Sequence, residues 1–318
     1  MIEHMLVPLD GSSLAECVLP HVVALGKVFS PRISLVRVVE PVESISTTRA
    51  IDLLDWQMLR TEAEAYLDGV TGQLAEVGIK ADRVVLEGQP AKRIVDFVRE
   101  QGVDLVILSS HGRSGLSEWG ISSVVQKVVL RALVPIFVVR AYGSEHETLE
   151  GLTYRRLLVP LDGSQRAECA LAPAITLSEA YNADLYVTHI VARPVVPRRV
   201  PLTLEEQGLI NRLTELNEQE ARVYLRDVMA RCRPCTETIL RVADSASCEL
   251  HRIIDERDVD LVVLSAHGHT VERSWPYGSV ALNLIFYGAT ALLIIQDLTP
   301  GEIEPSEAEL ASKERKGH

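Results

Sequence analysis

The chain has 318 residues, 47% of them apolar, and a formal net charge of −12. That length and apolar content fit two packed domains and exclude a disordered chain. The acidic balance argues against a general binder of nucleic acid or anionic membrane, which needs a basic face, and no apolar run approaches the roughly 20 residues of a membrane span.

The chain runs almost directly from its first residue into Met5-Leu6-Val7-Pro8, so no signal peptide is expected. Five cysteines, an odd number without framework spacing, fit a reducing cytoplasm. Residues 5–9 read as a strand that stops at Asp10-Gly11-Ser12, a turn and cap signal. Leu14, Val18, Val22 and Leu25 at helical spacing predict one helix after it. A strand over 33–39 follows, then a polar stretch without periodicity over 40–50, read as a loop. Leu59, Ala63, Tyr66, Val70 and Leu74 mark a long amphipathic helix. Residues 84–86 give a third strand, and Pro90 stands where the next helix can begin. The apolar run 104–107 is a fourth strand, Val124 to Val129 a helix, and Pro135 to Val139 the last strand. Five strands alternating with four helices imply an open, doubly wound parallel sheet.

Residues 141–153 are polar and acidic, with Gly143 and Gly151, and read as a linker between a first domain over 1–140 and a second over 154–297. The second domain repeats the order of the first. Its long helix, carrying Leu209, Leu213, Leu216, Tyr224 and Val228, follows a Pro- and Arg-bearing loop over 193–201. The tail, 298–318, is charged and aperiodic, and is expected to be disordered.

Two stretches recur. Leu6-Val7-Pro8-Leu9-Asp10-Gly11-Ser12 matches Leu158-Val159-Pro160-Leu161-Asp162-Gly163-Ser164. Ser109-Ser110-His111-Gly112, ending at Ser122-Ser123, matches Ser265-Ala266-His267-Gly268, ending at Gly278-Ser279. The second stretch reads as strand, loop, helix. Such a loop aims backbone N–H groups and the positive helix end above the strand tips, and glycine lets an anion approach closely. It is either a phosphate cradle or a turn with a capped helix. Asp10 and Asp162, at the end of each first strand, either cap the next helix or accept from an amine or ribose hydroxyl across the crevice.

Together these motifs resemble the universal stress protein family. The resemblance covers residues 1–140 and 153–297. It implies two five-stranded domains of order 3-2-1-4-5, of the adenine-nucleotide alpha-hydrolase-like kind. It also implies pairing of the two domains through their last strands, 136–139 and 292–295, within one chain; a homodimer is also allowed. The family's ATP pattern of Gly, two residues, Gly, nine residues, Gly and Ser or Thr maps onto Ser265, Gly268, Gly278 and Ser279. In the first half it maps onto Ser109, Gly112, Ser122 and Ser123. The aspartate beside the adenine maps to Asp162 and Asp10, and the backbone near Ile190 and Val38 would touch the base. Arg113 is a further candidate for phosphate in the first half.

The departures set expectations too. Both halves have serine for the first glycine, and Ser122 also replaces the third. A left-handed backbone at that position would cost a serine roughly 1–2 kcal/mol. Asp244, where the first half has Gly88, would bring an acidic group near the second crevice and call for Mg²⁺ beside ATP. No residue is read as a metal ligand. The second half is therefore expected to be the better site.

Cys232-Arg233-Pro234-Cys235 has redox spacing but lies at the end of a helix, where no positive dipole lowers a thiol pKa. Cys17 and Cys169 are read as small core residues. No Walker A pattern and no general base is visible, so no residue is read as catalytic. The expected function is adenine-nucleotide binding coupled to a change of state or partner in a stress response. The alternatives are a nucleotide-free interaction module with degenerate loops, and a slow ATPase.

Overall fold

A computed structural model, describing residues 2–40, 53–113, 121–141, 148–195, 201–232, 235–269 and 276–298, divides into two compact units. One comprises Met1–Thr153 with Ile285–Leu293, the other Tyr154–Leu284 with Ile294–His318. The first repeat runs β1 (His4–Pro8), α1 (Ser13–Glu16), α2 (Leu19–Phe29), β2 (Arg32–Val39), α3 (Leu53–Glu76), β3 (Asp82–Glu87), α4 (Pro90–Gln101), β4 (Leu105–Ser109), α5 (Ser123–Ala132) and β5 (Ile136–Val139). The second runs β6 (Arg156–Leu161), a 3-10 turn (Ala167–Ala170), α6 (Leu171–Tyr181), β7 (Asp184–Ala192), α7 (Leu204–Arg231), β8 (Cys235–Ala243), α8 (Ala246–Glu256), β9 (Leu261–Ser265), α9 (Ser279–Tyr287) and β10 (Ala291–Ile295).

Strand order is β3-β2-β1-β4-β5 in the first repeat and β8-β7-β6-β9-β10 in the second, each the expected 3-2-1-4-5. The pairings β1–β2, β1–β4 and β6–β7, β6–β9 are parallel. Central strands β4 and β9 are buried along their whole length, which explains their unbroken apolar sequences. The terminal strand β3 is exposed or half-buried throughout. This topology makes β1 and β6 the points where strand order reverses, with a crevice at their carboxyl ends.

The single helix expected after β1 is two. α1 ends at Glu16 and α2 begins at Leu19, with Pro20 in its first turn. Proline has no N–H for the carbonyl four residues back and its ring crowds that carbonyl, so the helix cannot run through. The second repeat makes the same step, with a 3-10 turn before α6 and Pro173. Pro90 does open α4, as its position suggested.

The expected loop over 41–50, residues 142–147 of the expected linker and 299–318 of the expected tail lie outside the described residues. Among the described residues no helix is long and apolar enough to cross a membrane.

Candidate functional site

Each crevice begins with an aspartate that ties two loops together. Asp162 Oδ1 accepts from the N–H of Ser164 at 3.0 Å and its hydroxyl at 2.6 Å, while Oδ2 accepts from the N–H of His269. Asp10 does the same with Ser12, at 3.0 and 2.6 Å, and with the N–H of Arg113. Neither aspartate caps the following helical turn. That is done by the serines, whose hydroxyls accept from Ala15 and Ala167 N–H groups at 3.1 Å. The aspartate instead fixes the serine and clamps the β4 or β9 loop to it.

This clamp accounts for one glycine of each motif. A Cβ on Gly112 would stand 2.1 Å from Asp10 Oδ2, and one on Gly268 would stand 2.1 Å from Asp162 Oδ2. Glycine is required there by the protein's own carboxylate. Gly278 is different. A Cβ on it would meet Ala266 O at 3.5 Å, ordinary contact, and it is absent from the residues with positive φ. Its counterpart Ser122 has φ −65° and caps α5, accepting from Val125 N–H at 3.4 Å. The expected left-handed strain at this position is therefore not found: both residues donate their N–H at 2.8 Å to the carbonyl of residue 266 or 110, in a conformation open to any side chain.

In the second repeat a cavity opens among the ends of β6 (Pro160 to Asp162), β7 (Thr188, Ile190), α8 (Ala246, Leu250), residues 264–268 and the start of α9 (Gly278 to Ala281). It gathers all six candidates of that half: Asp162, Ile190, Ser265, Gly268, Gly278 and Ser279. The walls from Ile190, Ala246 and Leu250 are apolar, whereas one rim is a helix start with its free N–H groups. Thr188 spends its hydroxyl on Ile239 O at 3.0 Å. Thr188, Ala246 and Leu250 were not among the sequence candidates. Ala246 and Leu250, four residues apart on α8, did carry a helical apolar signal.

Asp244 is not in this cavity. It is 79% exposed and pairs with Arg193 at 3.1 Å, so the expected acidic neighbour and its call for Mg²⁺ are not borne out by placement. Ser109 and Ser265, in the place of the first glycine, are buried. Ser109 donates to Leu14 O at 2.7 Å and accepts from the Cys17 thiol at 3.3 Å, so its hydroxyl serves α1. Burial pushes the Cys17 and Cys169 thiols up, more than their serine contacts pull them down, as suits core residues.

His267 belongs to a buried ion-pair network that no spacing rule suggested. Asp297 Oδ1 lies 2.8 Å from His267 Nδ1 and accepts the His267 N–H at 3.1 Å, while Oδ2 accepts from Arg166 at 3.0 Å. Burial alone would raise the Asp297 carboxyl. The hydrogen bonds from His267 and Arg166 outweigh it and hold the group below its usual range. The first repeat has Ala141 at the corresponding position. There His111 Nδ1 lies 3.1 Å from the Ser110 hydroxyl, and burial, then the nearby Arg140 charge, push the imidazole pKa down.

On the far face of the sheet the repeats differ again. Arg37 of β2 places its guanidinium 3.2 Å from where a Gly11 Cβ would be, over the Tyr66 ring at 5.0 Å. His189 takes that place on β7 and meets Tyr224 edge-on at 5.9 Å. Val38 is half-buried on β2, Ser123 begins α5, and the Arg113 side chain is exposed. Cys232 is buried at the end of α7; the side chain of Cys235 lies outside the described residues.

Comparison with known proteins gives one family. A model of the Universal stress protein family matches residues 1–140 and 153–295. A universal stress protein of Mycobacterium tuberculosis is 31% identical over 235 residues, 70% of this chain and 73% of its own. One from Bacillus subtilis is 29% identical over 150 residues, 44% of this chain and 100% of its own. The crystal structure of a universal stress protein from Archaeoglobus fulgidus has the same fold, with a TM-score of 0.67 at 17% identity, over 94% of this chain and 100% of that one.

Proposed function

The chain belongs to the universal stress protein family, and from that premise we propose that its second repeat binds an adenine nucleotide, ATP above all, with the first repeat as the weaker site. The observation that carries this is Gly278. Among the described residues nothing in packing or backbone conformation demands glycine there, yet it stands at a helix start on the rim of an apolar-walled cavity. A glycine without an internal reason leaves space for something outside the chain.

The base fits between Ile190, Ala246 and Leu250, and the phosphates fit over the N–H groups of α9 with the Ser279 hydroxyl beside them. Asp162 has its protein hydrogen bonds, but each carboxylate oxygen carries two lone pairs, so it retains capacity for a ribose hydroxyl or the adenine amine. Among the described residues the cavity offers no carboxylate beyond Asp162, so Mg²⁺ would come with the phosphates. The His267 side chain is 1% exposed and its Nδ1 is engaged by Asp297, so that nitrogen does not serve as a base toward the cavity. With no Walker lysine either, the proposed role is that of a cytoplasmic regulator that changes state or partner with bound nucleotide, hydrolysing it slowly or not at all.

Calorimetric titration of ATP into Gly278→Ala tests this. Affinity at the tighter site is expected to fall about tenfold or more, roughly 1.4 kcal/mol, while the melting temperature of the free protein stays unchanged. If binding is unchanged, the loop is only a turn and the nucleotide-free interaction module takes its place.

A further inference from the structure

Two helices share the second cavity. α8 lines it with Ala246 and Leu250, and α9 with its start, Gly278 to Ala281. Between the two helices the chain passes through β9, so their spacing is not set by a short connection. In the nucleotide reading given above, on which this inference rests, α8 walls the base and α9 receives the phosphates. The spacing of the two helices is then the distance between the two ends of one ligand.

A side-chain hydrogen bond joins these helices. His251 Nε2 lies 3.0 Å from Asn283 Oδ1, and both residues are half-buried. A carboxamide oxygen only accepts, so the imidazole nitrogen carries the proton and donates. His251 directly follows Leu250, and Asn283 stands two positions after Ala281, so each partner sits close to a lining residue of its own helix. From Ser279 to Asn283 is one turn of α9, about 6 Å along its axis. Asparagine is a poor residue for a helix interior, so Asn283 needs a reason. The bond to His251 supplies it. α9 carries no charged residue, so no ion pair can take the place of this bond.

The first repeat cannot make the same bond. Counted from the matching aspartates Asp104 and Asp260, His251 corresponds to Val95 and Asn283 to Lys127. A valine side chain neither donates nor accepts. An interhelical bond present in both repeats would read as part of the shared fold. This one is confined to the repeat that keeps Gly278 and the cavity beside it, so it points to the cavity.

We infer that His251 and Asn283 are positioning residues of the nucleotide site: their bond sets the spacing between the α8 wall and the start of α9. Neither side chain lines the cavity, so each acts through its neighbours on its own helix. A ligand that engages α8 alone does not feel this spacing. A ligand that engages both helices does, because its two ends are covalently joined and both must fit at once.

Calorimetric titration of the full chain with ATP and, separately, with adenosine tests the inference. His251→Val, which installs the first repeat's residue, and Asn283→Leu should each weaken the tighter ATP phase about threefold to tenfold, the range of one hydrogen bond. Adenosine affinity should stay unchanged. The two substitutions together should cost no more than either alone, as befits partners in one bond. Exchanging the pair, His251→Asn with Asn283→His, keeps both groups and should restore ATP affinity. Unchanged ATP affinity in the single variants, equal losses for ATP and adenosine, or losses that add in the double variant would overturn the inference. Where a single variant fails to fold, the exchanged pair decides, and ATP affinity below that of the wild type counts against the inference. A wild type that does not bind ATP at all would instead remove the nucleotide reading, whereas unchanged binding in the variants removes only the positioning role.

Discussion

In both repeats an aspartate at the end of the first strand clamps a serine turn to the loop that follows the fourth strand, with nearly the same distances. The surroundings of the two clamps are not alike. In the second repeat the loop is held from behind by Asp297 through His267, and its far end is Gly278. In the first, Ala141 offers His111 no carboxylate, Arg140 crowds it electrostatically, and the far end is Ser122. The lesson is that clamp and site are separate. Asp and the glycine it presses on recur in both repeats of this chain. The nucleotide site proposed above rests on the remainder: the third glycine, the helix start behind it and the apolar wall of α8.

Asp297 is the feature that most separates the halves, and removing it should have the largest effect. Asp297→Ala leaves a buried imidazole and an arginine without their shared acceptor. The loss should be about 2–3 kcal/mol, the range for a buried hydrogen-bonded charge stripped of its partner. Thermal unfolding should show it in the second unit, and the tighter ATP phase should weaken with it. Unchanged melting would mean that the network is incidental and that the two loops are equally rigid without it.

The two clamp glycines should behave alike in stability and differently in binding. In Gly112→Ala and Gly268→Ala alike, the new Cβ falls inside the aspartate's oxygen, and the carboxylate must turn away from Arg113 or His269 N–H. Losing one charge-assisted hydrogen bond costs about 2 kcal/mol. Denaturant unfolding should register similar costs in both variants. Titration with ATP should lose the tighter phase only in Gly268→Ala. Equal losses of affinity would make the two crevices equivalent and cancel the contrast drawn here.

Much of this arrangement was legible in the sequence, and the parts that were not share a physical cause. The alternation of strands and helices followed from apolar runs, while the strand order and the six candidates of the second cavity followed from the resemblance of the repeated motifs to the family's pattern. The break before Pro20 was hidden because Leu14, Val18, Val22 and Leu25 keep helical spacing across it; a period records which face is apolar, not whether the hydrogen bonds continue. Gly268 was expected to make way for a ligand, and it does make way, but for Asp162, more than 100 positions earlier in the chain. Asp297 gave no sign at all. It lies 30 positions from His267, just where periodicity ends, and only the register of β10 beside β9 brings the two together. The acidic threat read into Asp244 failed for a similar reason, since a neighbouring arginine outside any motif holds it in solvent.

The smallest effect expected is one of pH, and its sign differs between the groups involved. His111 is buried with its pKa pushed below the ordinary value of about 6.5. Over the window between its folded pKa and that ordinary value, the unfolded chain binds more protons than the folded one. Stability from this group is therefore present above about pH 6.5 and is lost as pH falls through that window. His189 of the second repeat, lowered chiefly by burial, acts in the same sense. Asp297 acts elsewhere: its pKa is held below the ordinary carboxylate value of about 3.9, so its contribution survives to that pH and fades only further into acid. Thermal melts at pH 7, 6 and 5 should thus decline in the wild type, less steeply in His111→Gln and less steeply in His189→Gln. Asp297→Ala should shift the whole series down without changing its slope. A slope unchanged in both histidine variants would mean that neither His111 nor His189 governs this range, and the electrostatic contrast between the repeats would have to be redrawn.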